Sequence, residues 1–325
     1  MKSTCLVTGG SGFVGSRLIQ ILQQHGWQVR ALARSDEALR TVRALGAEPV
    51  RGSLEDRASL IAAAQGCSVV FHVAAHFRLW GDWAEFERSN VQGTRNVLDA
   101  AASASVERFV QLGAAAVVMG DLEPMFGVNE ALPRQERDWA PYSASKARSE
   151  TLVLAANRPG VFETVVVRPP MIWGPNMPTL DHMIETVKAG QFRWVGGGSQ
   201  AMSTAHVDNV CLALELAAEK GPGGEAYFVS DGNDSTLKNV ISGLLQTRGI
   251  APPRSSAPLP VAWAMASVTE WVWRTFSRPG EPPMTRQMLR LIGAPFTLDI
   301  GKARRDLGYV PVISREQGLE AMRSS

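Results

Sequence analysis

The sequence has no surplus of charge of either sign: 33 lysines and arginines face 31 aspartates and glutamates, a formal net charge of +2. There is no basic stripe for nucleic acid and no acidic tail, and nothing points to a charged membrane surface. Cysteine is scarce. Cys5, Cys67 and Cys211 are far apart, lie in apolar surroundings and form no C-x-x-C pair, so they read as buried free thiols in a reducing, cytoplasmic setting. The chain passes from Met1-Lys2-Ser3 straight into an apolar run, so no signal peptide is expected. No transmembrane segment is expected, because the most apolar late stretch, 259–276, is broken by Pro260, Ser267, Thr269, Glu270 and Arg274. His25, His76 and His182 have no metal-ligand spacing, so no metal is expected. Internal repeats and low-complexity segments are absent as well.

What is present begins at Thr8-Gly9-Gly10-Ser11-Gly12-Phe13-Val14-Gly15. The apolar run Cys5-Leu6-Val7 before it reads as a buried strand, and Val14, Leu18, Ile21 and Leu22 after it share one helical face. In a strand, glycine turn and helix of this kind, Gly9 allows a tight turn. Gly12 lets a pyrophosphate approach the backbone, Gly15 lets the helix pack closely on the strand, and the free N–H groups at Phe13 and Val14 face the phosphates. A second strand, 28–33, ends at Arg34, where an NAD site usually carries an acid; a cation there suits the extra phosphate and favours NADP, although Asp36 or Glu37 could reach a ribose. Further strands are expected at 48–52, 68–75, 108–112 and 163–170, alternating with helices at 91–102 and 142–156. That alternation implies an α/β fold, a Rossmann-type doubly wound parallel sheet.

Beyond residue 170 the chain turns to short elements rich in Pro, Gly, Trp and Met. The expected division is a dinucleotide-binding domain at 1–170, with a return segment near 203–232 that includes the strand-like 226–230. A smaller, mostly helical substrate domain is interleaved with it at 171–202 and 233–325. Trp263, Trp271 and Trp273 share the amphipathic stretch 261–276; such aromatics fit a core, and also an apolar pocket or peripheral contact with a membrane surface.

A second informative stretch is Tyr142-Ser143-Ala144-Ser145-Lys146. Positions four apart on a helix share a face, so phenol and ammonium lie one turn apart, and a nearby cation is expected to lower the tyrosine pKa into a range useful for acid–base work.

Together the glycine loop, the Tyr-x-x-x-Lys pair and the strand order resemble the extended short-chain dehydrogenase/reductase superfamily, whose members are NAD-dependent epimerase/dehydratase-like. Supporting matches are His72-Val73-Ala74-Ala75, Asn90-Val91-Gln92-Gly93-Thr94, Arg168-Pro169-Pro170, His206-Val207-Asp208-Asn209 and the 302–309 segment. Leu79-Trp80-Gly81-Asp82-Trp83 and the Trp-rich late half look most like the 3-beta-hydroxysteroid dehydrogenase group. The resemblance implies that Tyr142 exchanges a proton with the substrate oxygen while Lys146 tunes it and holds the nicotinamide ribose. It puts Ala74 and Ala75 along the cofactor, Pro169 and Ile172 beside the nicotinamide, and Ser53 and Leu54 near the adenine. It also implies that Asn90 supports packing, that His206 and Asp208 anchor the two domains, and that the protein is a homodimer.

Two departures stand out. Gly52-Ser53 replaces the family's Gly-Asp, and the family's serine at the end of the fifth strand falls on Ala115, with Ala114 and Ala116 on either side. Candidates for the substrate pocket are His76, Ala115, Ser143, Trp173 and Thr204; the missing hydroxyl could be replaced by His76, Ser143 or Thr204, by a bound water or by the substrate's own hydroxyl. The main expectation is an NAD(P)H-dependent oxidoreductase, interconverting a carbonyl and a secondary alcohol on a small, apolar substrate that could be cyclic. A cofactor-retaining isomerase or lyase, and an NADP-binding protein with little redox activity, stay open.

Overall fold

The protein is described by a computed structural model over residues 3–324. In chain order its strands are β1 (Thr4–Thr8), β2 (Gln28–Ala33), β3 (Glu48–Arg51), β4 (Val69–His72), β5 (Arg108–Leu112), β6 (Met125–Val128), β7 (Glu163–Arg168), β8 (Met171–Trp173), β9 (Trp194–Val195), β10 (Ala201–Met202), β11 (Thr204–His206), β12 (Glu225–Phe228), β13 (Ser235–Thr236), β14 (Ser256–Ala257) and β15 (Phe296–Leu298). The helices are α1 (Phe13–Gln24), α2 (Asp36–Ala44), α3 (Arg57–Ala64), α4 (Trp83–Phe86), α5 (Gly93–Ser103), α6 (Pro141–Ala155), α7 (Pro178–Lys188), α8 (Val207–Glu219), α9 (Leu237–Gln246), α10 (Leu259–Thr275), α11 (Arg286–Ile292), α12 (Gly301–Leu307) and α13 (Arg315–Arg323).

Seven strands form one parallel sheet in the order β12-β7-β5-β4-β1-β2-β3. The inner strands β1, β4, β5 and β7 are buried along nearly their whole length, as strands covered on both faces are, while the edge strand β3 is only half-buried. Val7, Phe71, Val165 and Val167 pack into one layer with Leu18 of α1 and Leu214 of α8. Leu6, Val70, Phe109 and Val166 pack into the other with Leu60 of α3 and Val97 of α5. The order reverses between β1 and β4, and the crevice outside the carboxyl ends of those strands is where this architecture takes a ligand.

The later chain is not purely helical. A four-stranded sheet, β13-β10-β15-β6, holds it together, and β6 at residues 125–128 pairs with β15 rather than staying in the unit expected at 1–170. Phe296 and Met125 are too far apart in the chain for local pattern to link them. The strand expected at 68–75 ends at His72, and the helix expected at 91–102 is preceded by a π-helical turn at Glu87–Gln92. Along α10, Ala262 and Ala266 are buried and Trp263 lies edge-on to Trp139, whereas Val261, Met265, Val268 and Trp271 are exposed. Among the described residues no helix is long and apolar enough to cross a membrane. All three cysteines are buried free thiols, and burial raises the pKa of each.

Candidate active site

The glycine turn sits at the order reversal. Gly9 has φ +73°, and a Cβ on it would lie 2.7 Å from the amide nitrogen of Ala74, so only glycine fits between β1 and the end of β4. Gly15 is tighter still: its Cβ would meet the Gly9 carbonyl oxygen at 2.1 Å. The close packing at Gly15 is therefore against the turn itself, not against the strand as expected. At Gly12 a Cβ would find only the Gly9 oxygen within 4 Å, at 3.3 Å, so its outer side is open. No side chain caps α1 at Gly12. A helix start without a cap, behind a glycine with open space, offers its N–H groups to an anion. Val14 is buried and can meet a ligand there only through its backbone, while Phe13 is half-buried with its ring against the core. Gly10 adds a constraint the spacing did not reveal, since its Cβ would lie 2.8 Å from Ile19.

Under the turn runs a buried polar chain. Thr94 donates to the carbonyl of Asn90 (2.6 Å) and lies 3.0 Å from His72 Nε2; Thr8 Oγ1 accepts from the Ala74 amide and lies 2.8 Å from His72 Nδ1. With the Thr94 proton already committed, His72 must donate from Nε2 and accept at Nδ1. Burial, with Lys146 nearby, lowers its pKa to about 3, so the imidazole stays neutral. At the end of β2, Arg34 is exposed and Ser35 caps α2, while Asp36 pairs with Arg51. Ser53 Oγ accepts from the Glu55 amide, and Asn96 donates to the Leu54 carbonyl at 2.8 Å.

Helix α6 opens with Pro141, whose fixed φ suits a first turn. Tyr142 and Lys146 follow one turn apart. Lys146 is buried and its Nζ donates to the Leu112 carbonyl at the end of β5 (2.5 Å), and burial lowers its pKa to about 8. The phenol does not move as the spacing suggested. Burial pushes Tyr142 up to about 12, the opposite direction, because the loss of water disfavours the phenolate. The ring lies edge-on to Phe77, with centroids 4.9 Å apart. Asn90, in the π-helical turn, accepts from the His76 amide (2.6 Å) and donates to both the His76 carbonyl (3.0 Å) and Ser145 Oγ (2.9 Å). Ser145 in turn donates to the Tyr142 carbonyl at 2.8 Å. Neither Phe77 nor this clamp is legible in the sequence; the only local signal for Phe77 is its place two residues past Ala75.

The expected pocket residues are held in different ways. Ala115 is 1% exposed, packs among apolar neighbours, and its amide donates to the Pro169 carbonyl at 2.8 Å. Ser143 is buried and accepts from Gln287 of α11 (3.0 Å). Trp173 and Thr204 both donate to Asp231 Oδ2, each at 2.8 Å, and Trp173 is 1% exposed. Ile172 sits beside Ala205 in the β8–β11 pair. Of the side chains that could stand in for the missing hydroxyl, His76 alone keeps an unbonded polar atom: its Nε2 is buried without a hydrogen-bond partner, 3.7 Å from Glu85. His206 caps α8 through Nδ1, and Asp208 takes a bidentate pair from Arg17 of α1 at 2.6 and 2.8 Å.

The family model for 3-beta hydroxysteroid dehydrogenase/isomerase matches residues 6–261. The chain belongs to that family. It is thus an oxidoreductase of the short-chain dehydrogenase/reductase type. A 4-hydroxy-2-methyl-3-oxo-4-farnesyl-3,4-dihydroquinoline-1-oxide ketoreductase from Stigmatella aurantiaca is 44% identical over 320 residues, covering 98% of this chain and 95% of that protein. A 2-alkyl-3-oxoalkanoate reductase from Stenotrophomonas maltophilia is 34% identical, covering 98% of each. The crystal structure of gox2253 superposes with a TM-score of 0.80 at 31% identity, covering 99% of this chain and 97% of that one.

Proposed function

We propose that the protein is an NADPH-dependent ketoreductase that converts a carbonyl of an apolar substrate, cyclic in the reading we favour, to a secondary alcohol, with Tyr142 as proton donor. The observation that carries the reading is the Tyr142–Lys146 pair at the carboxyl end of β5, the same edge of the sheet as the uncapped glycine turn. The loop suits a dinucleotide: a Cβ at Gly9 or Gly15 would collide with backbone, and the outer side of Gly12 is open. Gly9, Gly12 and Gly15, with the amides of Phe13 and Val14, would hold the pyrophosphate, and Arg34 the additional phosphate of NADP. Ala74, Ala75, Ser53 and Leu54 would flank the nucleoside, with Pro169, Ile172 and Lys146 toward the nicotinamide. When bound, that cofactor supplies a hydride.

The chain's own residues supply the rest. A phenol at about 12 keeps its proton at neutral pH, which is what reduction requires of it, while oxidation would need the phenolate. Lys146, buried and held to the Leu112 carbonyl, steadies the charge that forms on the phenol as it gives up its proton. The donor usually supplied by a serine is missing at 114–116, so its part falls to His76, to the Ser143 hydroxyl, which accepts from Gln287 and keeps its own proton, or to a group of the substrate itself. The relatives' names support a ketone flanked by hydrocarbon: one carries a farnesyl group, the other an alkyl chain.

The test is cofactor oxidation by the purified protein with a panel of hydrophobic ketones, NADPH and NADH compared side by side. Tyr142→Phe is expected to lower turnover about 10³-fold with NADPH binding retained, while Ala115→Ser leaves activity similar or raises it. Tight NADPH binding without turnover of any ketone, or full activity in Tyr142→Phe, would overturn the assignment.

A further inference from the structure

Phe77 is 52% exposed, yet it is not a loose surface side chain. Its ring stands edge-on to that of Tyr142, 4.9 Å between centroids and 89° between planes, an arrangement in which the positive ring edge meets the negative face. The residue before it is fixed at both backbone groups by the side chain of Asn90. That same amide grips Ser145, whose hydroxyl donates to the Tyr142 carbonyl. One buried side chain therefore sets the position of Phe77 and Tyr142 relative to each other. The π-helical turn at Glu87–Gln92 is what carries Asn90 between the loop and α6.

We infer that Phe77 is a positioning residue for this site: it covers the Tyr142 ring on the solvent side and supplies an apolar wall for the hydrocarbon beside the substrate carbonyl. Half of its surface is still open, so there is area left for a substrate to bury, and a hydrated substrate would gain nothing from it. The partial loss of water that raises the Tyr142 phenol fits a ring shielded in this way. The inference rests on ketone reduction as the reaction.

The chain has 3 tyrosines, of which Tyr227 and Tyr309 are buried in the core, so 3-fluorotyrosine labelling gives three fluorine resonances and Tyr142→Phe identifies one of them. The experiment uses the NADP-loaded protein and menthone, a cyclic apolar ketone, as probe. In Phe77→Ala the Tyr142 resonance is expected to shift while those of Tyr227 and Tyr309 stay put, which also reports an intact fold. The affinity for menthone, read from that resonance, should fall about tenfold, and in turnover the loss should appear in KM more than in kcat. Phe77→Leu, which keeps the apolar wall and loses the ring, should shift the resonance but stay within about threefold in affinity. An unmoved Tyr142 resonance in Phe77→Ala, equal menthone affinity in wild type and variant, or no effect of menthone on the wild-type resonance would each overturn the inference. Menthone bound by the wild type, with neither menthone nor any ketone of the panel reduced when NADPH is supplied, would sink the ketoreductase reading and leave the Phe77 wall standing.

Discussion

Asp231 and Lys146 are both charged side chains withdrawn from water, and the fold treats them in opposite ways. The Asp231 carboxylate receives the His206 amide and Asn209 on one oxygen, at 2.6 and 2.8 Å, and Trp173 and Thr204 on the other. Lys146 can offer three protons, and among the described residues it has a single acceptor, the Leu112 carbonyl. The first arrangement is saturated and can only hold pieces together; it ties β8, β11 and α8 to the loop after β12. The second is under-satisfied, and its pKa is displaced to about 8, which is how a site awaiting a ligand differs from a structural centre.

The largest effect that would sharpen this contrast is on stability. Asp231→Ala strands four buried donors and should cost about 3–5 kcal/mol in urea unfolding; a loss below about 1 kcal/mol would break the view of Asp231 as an anchor. Lys146→Met should act the other way. The folded pKa of about 8 lies below the ordinary 10.5, so between those values the unfolded chain holds the extra proton and wild-type stability rises with pH. The variant should therefore be more stable than wild type below pH 8, by an amount on the order of 3 kcal/mol, with the gap closing toward pH 10.5, while activity is lost. A gap independent of pH would mean that Lys146 is not buried as a cation. The smallest effect is that of Trp173→Phe, which removes one of the four donors: about 1 kcal/mol in thermal unfolding, with kcat/KM unchanged. A clear fall in kcat/KM would return Trp173 to the substrate pocket.

Much of the fold could be read from the sequence because its signals are local. Gly9 needs its positive φ whatever surrounds it, and the short apolar runs at 28–33 and 108–112 carry their own boundaries. The Tyr142–Lys146 spacing is equally local, and so is the error drawn from it. Four residues along a helix bring a cation near a phenol, but the burial that decides the direction of the pKa comes from loops far away in the chain. The same limit explains Trp173, Thr204 and Ser143, whose polar atoms are claimed by Asp231 and Gln287, partners 58, 27 and 144 residues distant. β6 is another case, since its pairing with β15 spans about half of the chain. Phe77 was invisible for a further reason: nothing in its own neighbourhood distinguishes an aromatic that meets Tyr142 from one that simply faces water.

The three thiols have a practical consequence. Cys5, Cys67 and Cys211 are buried, and burial disfavours the thiolate that alkylating reagents attack. The folded protein should therefore ignore maleimide while the opened chain reacts, which makes its own cysteines a clock for unfolding. It also leaves the surface free for a fluorophore at any single cysteine introduced by design, with no native thiol to remove first.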